Sequence, residues 1–346
     1  MAAFRFRHST FPLFLLFLFG QEVSAGGISK AKYGSESLNF GIGGRALGLG
    51  GAYCALAQDV TAIYWNPAGL ARLEFPQGML MHASVFSGEV NFNFAGFALP
   101  LGPARTIGFG LVRVGVDDIP VTALTNPAFK LGELFVNDRG ETVVNTAYVA
   151  RQISDAEYAF YLSYAIKRTE RWSYGGNVKV IHKGIGDHSA WGLGFDLSAM
   201  WNPTGSLLVG ANFNDVTSTI LAWDTGRKEL LVPALRLGAA YPLALRLLNG
   251  QIAPAVDLEL HFEGRDYAAQ AALGPVSIDT HFGLEYQFKE MLAVRAGSDV
   301  GNFAAGVGIR LARVQIDYAF LRHQDLDNTH RISARLTIPE GRFRSR

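Results

Sequence analysis

WGLGFDLSAMW (191–201) carries two unlike sides in one stretch. Successive side chains of a strand point to opposite faces, so Trp191, Leu193, Phe195, Leu197, Ala199 and Trp201 share one side. Gly192, Gly194, Asp196, Ser198 and Met200 share the other. The same alternation returns at 157–167, where Tyr158, Phe160, Leu162, Tyr164 and Ile166 oppose Glu157, Ser163 and Lys167. It returns again at 281–288 and at 303–311. About fourteen such segments follow residue 77: 78–87, 90–99, 105–116, 157–168, 171–183, 190–201, 205–214, 233–243, 251–262, 279–288, 291–299, 302–311, 313–322 and 329–338. Most are as long as the roughly 9–11 residues with which a tilted strand crosses a bilayer, against about 5–6 in soluble sheets.

The connections sort by length. Even-numbered ones are mostly short (100–104, 169–170, 202–204, 289–290 and 312), with 242–250 as the exception. The odd-numbered ones include 117–156, 184–189, 215–232, 263–278 and 323–328. Short turns at one rim and long loops at the other are the habit of outer-membrane barrels. In lipid every backbone N–H and C=O must pair internally, and for strands only a closed barrel achieves this. The expected fold is therefore all-β: a transmembrane antiparallel barrel of about 14 strands spanning residues 78–338. Its lipid face carries Phe160, Leu193 and Phe195. Its lumen carries Glu157, Lys167, Lys179, Asp196, Glu259, Glu285, Arg295, Arg310 and Asp317. Trp172, Trp191, Trp201 and Tyr241 lie near strand ends, where an aromatic girdle belongs. Alternation alone also suits a soluble periplasmic β-sandwich that binds a ligand, and that alternative stays open here.

Composition narrows the function. Of 346 residues, 31 are Lys or Arg and 30 are Asp or Glu, a net charge of +1 that argues against nucleic acid as a partner. Charged residues make up only 18%, against about 25% in soluble chains, and hydrophobic residues make up 49%, too many for a disordered chain. One Cys allows no internal disulfide and no thiolate zinc site. At the N-terminus Arg5 and Arg7 precede the apolar run Phe11 to Phe19, and Val23-Ser24-Ala25 offers a cleavage site before Gly26. This order predicts a cleaved secretory signal peptide over 1–25 and export to the outer membrane, with its lipid as a partner.

Residues 26–77 differ from the rest. They are rich in Gly and Ala, with Asn66-Pro67-Ala68-Gly69 punctuating the chain as a turn. No strand precedes these glycines and no Gly-Lys-Ser/Thr follows, so a phosphate cradle is not expected. Small residues let backbones approach closely, which suits a compact segment tethered to the first strand and lodged in the barrel as a hatch. The stretch GGRALGLGGAYCALAQDVTAIYWNPAGLARL (43–73) resembles the N-terminal signature of the PorV/PorQ family, within the wider FadL-like group of outer-membrane proteins. Further similarity covers 154–168, 175–201, 221–241 and 316–336. The resemblance implies a 14-stranded barrel with an N-terminal hatch whose motif falls on Asp59, Asn66, Pro67, Ala68 and Gly69. One departure concerns the end of the chain. Many such barrels finish on an aromatic residue, whereas here Ile338 is followed by a tail, 339–346.

Chemistry is sparse. The eight His residues show no His-Glu-x-x-His pattern, and neither a metal site nor a bound cofactor is expected. His182 and His188 flank a loop, Asp117 and Asp118 fall in a loop where neighbours point apart, and Asp224, Lys228 and Glu229 form a charged rim. No catalytic residues are assigned and an enzyme is not expected. Two functions fit the barrel. In one, resembling PorV, it is a component of type IX-like secretion that meets secreted proteins or secretion-machinery components at the cell surface. In the other, resembling FadL, it passes hydrophobic small molecules.

Overall fold

The computed structural model describes residues 28–30, 36–262, 264, 269–323 and 328–339. The signal peptide, residues 26–27 and 31–35 of the hatch segment, and the tail beyond 339 lie outside the described residues. Fourteen antiparallel strands close on themselves: β1 (Gln77–Val85), β2 (Val90–Pro100), β3 (Arg105–Leu124), β4 (Ala147–Lys167), β5 (Trp172–Ile185) and β6 (His188–Trp201). Next come β7 (Leu208–Asn214, resumed at Thr219–Trp223), β8 (Lys228–Leu231, resumed at Ala234–Ala240), β9 (Gly250–His261) and β10 (Val276–Phe288). The ring finishes with β11 (Leu292–Asp299), β12 (Asn302–Leu311), β13 (Val314–Leu321) and β14 (Thr329–Thr337). Strand β14 returns to β1 in register from Gln77↔Thr337 to Ser84↔His330. The Ile338 amide adds a bond to the Pro76 carbonyl at 2.9 Å below the seam. Closure leaves no edge, so the ladder satisfies the backbone without water.

The outer surface is apolar. On β6, Trp191, Leu193, Phe195, Leu197 and Trp201 are exposed while Ala190, Gly192, Gly194, Asp196 and Ser198 are buried. Phe160, Phe282, Val307 and Ile332 continue the exposed row on other strands. Trp172 and Trp201 stack at 5.3 Å at one rim, and Trp191 packs on His182 at 4.4 Å toward the other. Ten residue steps separate Trp191 from Trp201, about 33 Å of strand or roughly 25 Å of height at the usual tilt, the height of an apolar belt in outer-membrane barrels.

Three loop assignments change. The stretch 117–156 is mostly strand. Beyond the level of its neighbours, β3 pairs Ile119–Leu124 with Ala147–Ile153 of β4, and the ribbon ends in a small hairpin, Leu134–Val136 against Thr142–Val144. At its tip the buried Asn145 side chain donates to the Phe129 carbonyl at 2.8 Å and accepts from the Asn126 amide at 2.9 Å, so the arm has a fixed end. Asp117 and Asp118 sit at a bulge between Val116 and Ile119, with Asp118 at φ 60 and Asp117 paired to Arg113 at 3.5 Å. Likewise 184–189 shrinks to a tight turn, where Arg151 meets Asp187 at 2.7 Å and its hydrogen bond holds that carboxylate below its ordinary pKa. His182 belongs to β5 and faces outward beside Trp191, while His188 meets Asp224 at 3.2 Å. The stretch 215–232 contains the upper parts of β7 and β8, so Lys228 and Glu229 are strand residues. In the arm both faces of the strands meet water, and the alternation that reveals strands in the belt disappears.

Candidate functional site

Residues 36–76 pass into the barrel and fill much of its bore. The segment has two short helices, α1 (Gly44–Gly48) and α2 (Ala62–Trp65), and a 3-10 turn at Pro67–Arg72. Ile42, Leu49, Val60, Ile63 and Leu70 have 0% exposure, which makes this segment the centre of the hydrophobic core. Its small residues have a mechanical reason. A Cβ at Gly44 would stand 2.8 Å from the Asp317 carbonyl oxygen, and one at Gly48 would stand 3.0 Å from the Gly306 backbone. The wall answers with its own glycines: Gly283 accommodates the Leu49 backbone and Gly210 that of Cys54.

The motif residues act as internal fasteners. Asp59 accepts bonds from the Thr61 amide (2.9 Å) and the Tyr53 hydroxyl (3.0 Å), and it pairs with Arg335 on β14. Asn66 donates to the carbonyls of Cys54 (3.0 Å) and Ala199 (3.3 Å). Pro67 opens the 3-10 turn, and the Ala68 amide donates to Ser198 at 2.8 Å. Gly69 lies against the Ala57 carbonyl, where no Cβ fits.

The wall facing this segment is divided. Strands β5–β14 present ions. Lys179 bridges Asp196 (3.0 Å) and Asp215 (2.8 Å). Glu285 receives Arg45 at 2.7 Å from the inner segment and Arg295 at 2.6 Å from the wall, and Arg295 continues to Asp317 at 2.8 Å. Asp257 accepts the amides of Tyr53 (3.0 Å) and Cys54 (2.8 Å), and Arg236 pairs with Glu259. Six of the nine residues expected in the lumen thus join ion pairs deep in the bore. Glu157 is buried 3.8 Å from Lys183, while Lys167 and Arg310 are half-buried at the turn rim, with Lys167 on Glu170 at 3.0 Å and Arg310 on Gln315 at 3.1 Å. Strands β1–β3 are mostly apolar inside, against the polar-inside expectation. Met79, Met81, Phe92, Phe94, Val112 and Val114 face inward and are buried, because Val60, Ile63 and Leu70 need an apolar wall to pack on. Sequence gave no sign of Arg45, Asp257, Arg236 or Arg335 as fasteners, since each partner lies far along the chain.

Toward the arm side a vestibule of about 720 Å³ remains, floored by Asn39, Phe40 and Leu47 and walled by Phe86, His281 and Arg331 among others. Beside Arg45, Tyr53 and Asp59 the remaining gap is about 10 Å³, no more than one water needs. Among the described residues no group of three or more His, Cys, Asp or Glu is placed to hold a metal ion.

No protein-family model and no curated protein matches the chain. Solved structures do. The Pseudomonas putida toluene transporter TodX aligns with a TM-score of 0.60 at 12% identity, over 87% of this chain and 99% of that one. The Ralstonia pickettii toluene transporter TbuX aligns at 0.58 and 14%, over 86% and 98%. A Pseudomonas aeruginosa FadL homologue aligns at 0.51 and 11%, over 85% and 97%. At these identities the likeness is one of fold: the chain is a closed 14-stranded barrel of the architecture seen in FadL-like transporters.

Proposed function

We propose that this protein is an outer-membrane barrel that passes small apolar molecules, with the segment over 41–73 as its hatch. The observation that carries this reading is the pairing of a closed 14-stranded wall with an N-terminal segment seated in its bore, in a fold shared with two toluene transporters. The apolar belt supports placement in the bilayer, and the mostly apolar inner face of β1–β3 supplies a surface along which a greasy molecule loses few polar contacts. Proteoliposomes with a lipopolysaccharide outer leaflet are expected to take up toluene faster than protein-free ones. Equal rates would overturn the reading.

The arm favours a second function. Leu131, Leu134, Val136 and Val144 are 68%, 60%, 64% and 51% exposed near its tip, an apolar surface held well outside the belt. Such a surface suits contact with an exported protein, as the resemblance to PorV implies. A chain lacking residues 119–151 keeps normal toluene uptake under the transport reading. Loss of surface export with uptake intact assigns the arm to secretion, and loss of neither removes the secretion reading.

A further inference from the structure

The connection 242–250, long among short turns, carries both apolar and cationic side chains. Exposed Tyr241 precedes it, and Leu243 pairs with Ile252 of β9, which pairs with Tyr286 of β10. That row alternates with the buried Ala253 and Glu285, so it belongs to the outward face. Past Leu245 the chain makes a 3-10 turn, Arg246–Leu248. Two hydrogen bonds fix the turn on the base of β10. The Tyr286 hydroxyl donates to the Leu248 carbonyl at 2.8 Å, and the Lys289 amide donates to the Asn249 carbonyl at 3.1 Å. Tyr286 points outward, so the turn sits over the outer wall and not under the bore. On it Leu247 is 98% exposed and Leu248 57%. Leucines held open to this degree are disfavoured in water and favoured against hydrocarbon.

Positive charge collects at the same rim. Arg105, Arg168, Arg171, Arg246, Lys289 and Arg313 are exposed at or beside the short turns. The acids there are Glu74, Glu170 and Glu290, and two of them are taken: Glu170 by Lys167 at 3.0 Å and Glu290 by Arg310 at 3.9 Å. By sequence, 340–346 add Arg342, Arg344 and Arg346 against Glu340. The bond between Lys289 and Asn249 sets the turns that carry Arg246 and Lys289 side by side. The Lys289 ammonium stands over the Phe288 ring at 5.1 Å, and among the described residues neither cation is paired with a carboxylate. Two like charges on adjoining turns, beside open leucines, suit an anion that carries an apolar tail.

We propose that this turn and Lys289 form a binding site for an anionic phospholipid of the periplasmic leaflet. Its phosphate meets Arg246 and Lys289, and its chains lie against Leu243, Leu247 and Leu248. In outer-membrane barrels the rim of short turns is the periplasmic one. There Lys and Arg reach back to the headgroups while neighbouring apolar side chains enter the acyl region. An acidic protein would satisfy the cations, but the leucines continue the outward row of Leu243 and Tyr286, which acyl chains cover. The site goes beyond the transport reading and does not depend on what the bore passes.

Native mass spectrometry of the protein in micelles, titrated with dioleoyl phosphatidylglycerol, dioleoyl phosphatidylcholine, inorganic phosphate or polyglutamate, tests the site. The parent should bind the phosphatidylglycerol about tenfold or more tighter than the phosphatidylcholine, since each cation at such a surface is worth about fivefold. Arg246→Gln should lower phosphatidylglycerol affinity by about fivefold and leave phosphatidylcholine unchanged, and adding Lys289→Gln should erase the preference. Leu247→Ser with Leu248→Ser should weaken both lipids alike. Arg139→Gln, on the arm, should keep the parent's preference. Heat-dependent gel mobility reports whether each variant assembles, and should one fail, the lipid comparison on the parent and the leucine variant decide. Equal affinity for the two lipids in the parent, or an unchanged preference in the assembled double variant, overturns the site. Inorganic phosphate bound as tightly as phosphatidylglycerol overturns the lipid as its occupant, and polyglutamate bound more tightly than either lipid transfers the rim to an acidic protein. Toluene uptake should be equal in parent and double variant, so loss of the lipid preference leaves the transport reading standing and absence of uptake leaves this site standing.

Discussion

Glu285→Leu is expected to destabilise the assembled protein by about 3–5 kcal/mol, the usual effect of removing one partner from a buried ion pair. Glu285 stands between two arginines: Arg45 at 2.7 Å on the inner segment and Arg295 at 2.6 Å on the neighbouring strand. Arg295 keeps Asp317 at 2.8 Å, but among the described residues Arg45 loses the carboxylate it pairs with. The loss therefore falls on the junction between hatch and wall. Protease should cut residues 41–73 sooner, and the unfolding transition followed by gel mobility should move to lower temperature. Replacing both partners, Arg45→Met with Glu285→Leu, should recover most of the loss, because apolar groups of similar volume need no counter-ion. A single variant that melts and resists protease like the parent would show that the pair does not hold the segment.

Leu193→Arg should cost about 2–4 kcal/mol if its position on β6 faces the middle of the hydrocarbon. Leu193 is 52% exposed and lies between Trp191 and Trp201 on the outward row. The inward neighbour Gly192 makes the contrast. There a Cβ would stand 2.8 Å from the Leu221 side chain, so Gly192→Ala tests packing alone. Urea titration in lipid vesicles measures both. An Arg variant as stable as the parent in vesicles would place that row in water.

The fourteen strands were legible because each crosses a boundary between two solvents. The belt demands apolar side chains at every second position, and that demand is written directly into β6 and β10. The arm escaped notice for the opposite reason. Val116 to Leu124 has water on both sides, a bulge shifts its register, and Pro120 reads as a breaker. Inside the bore the charged residues could be named, since they alternate with the belt. Their partners could not. Arg45 and Glu285 are 240 positions apart, and nothing local in either stretch reports the other. The apolar inner face of β1–β3 was hidden too, because only the packing of Ile63 and Leu70 explains it.

The seating of Leu49 has a consequence for the order of assembly. Gly283 on β10 and Gly297 on β11 both press on its backbone, although they are made long after it. The native seat of Leu49 therefore does not exist until both later strands are in place. Sealing of the seam between the first and last strands is then the step that traps the guest, and the native ring is a knotless cage built around its own beginning.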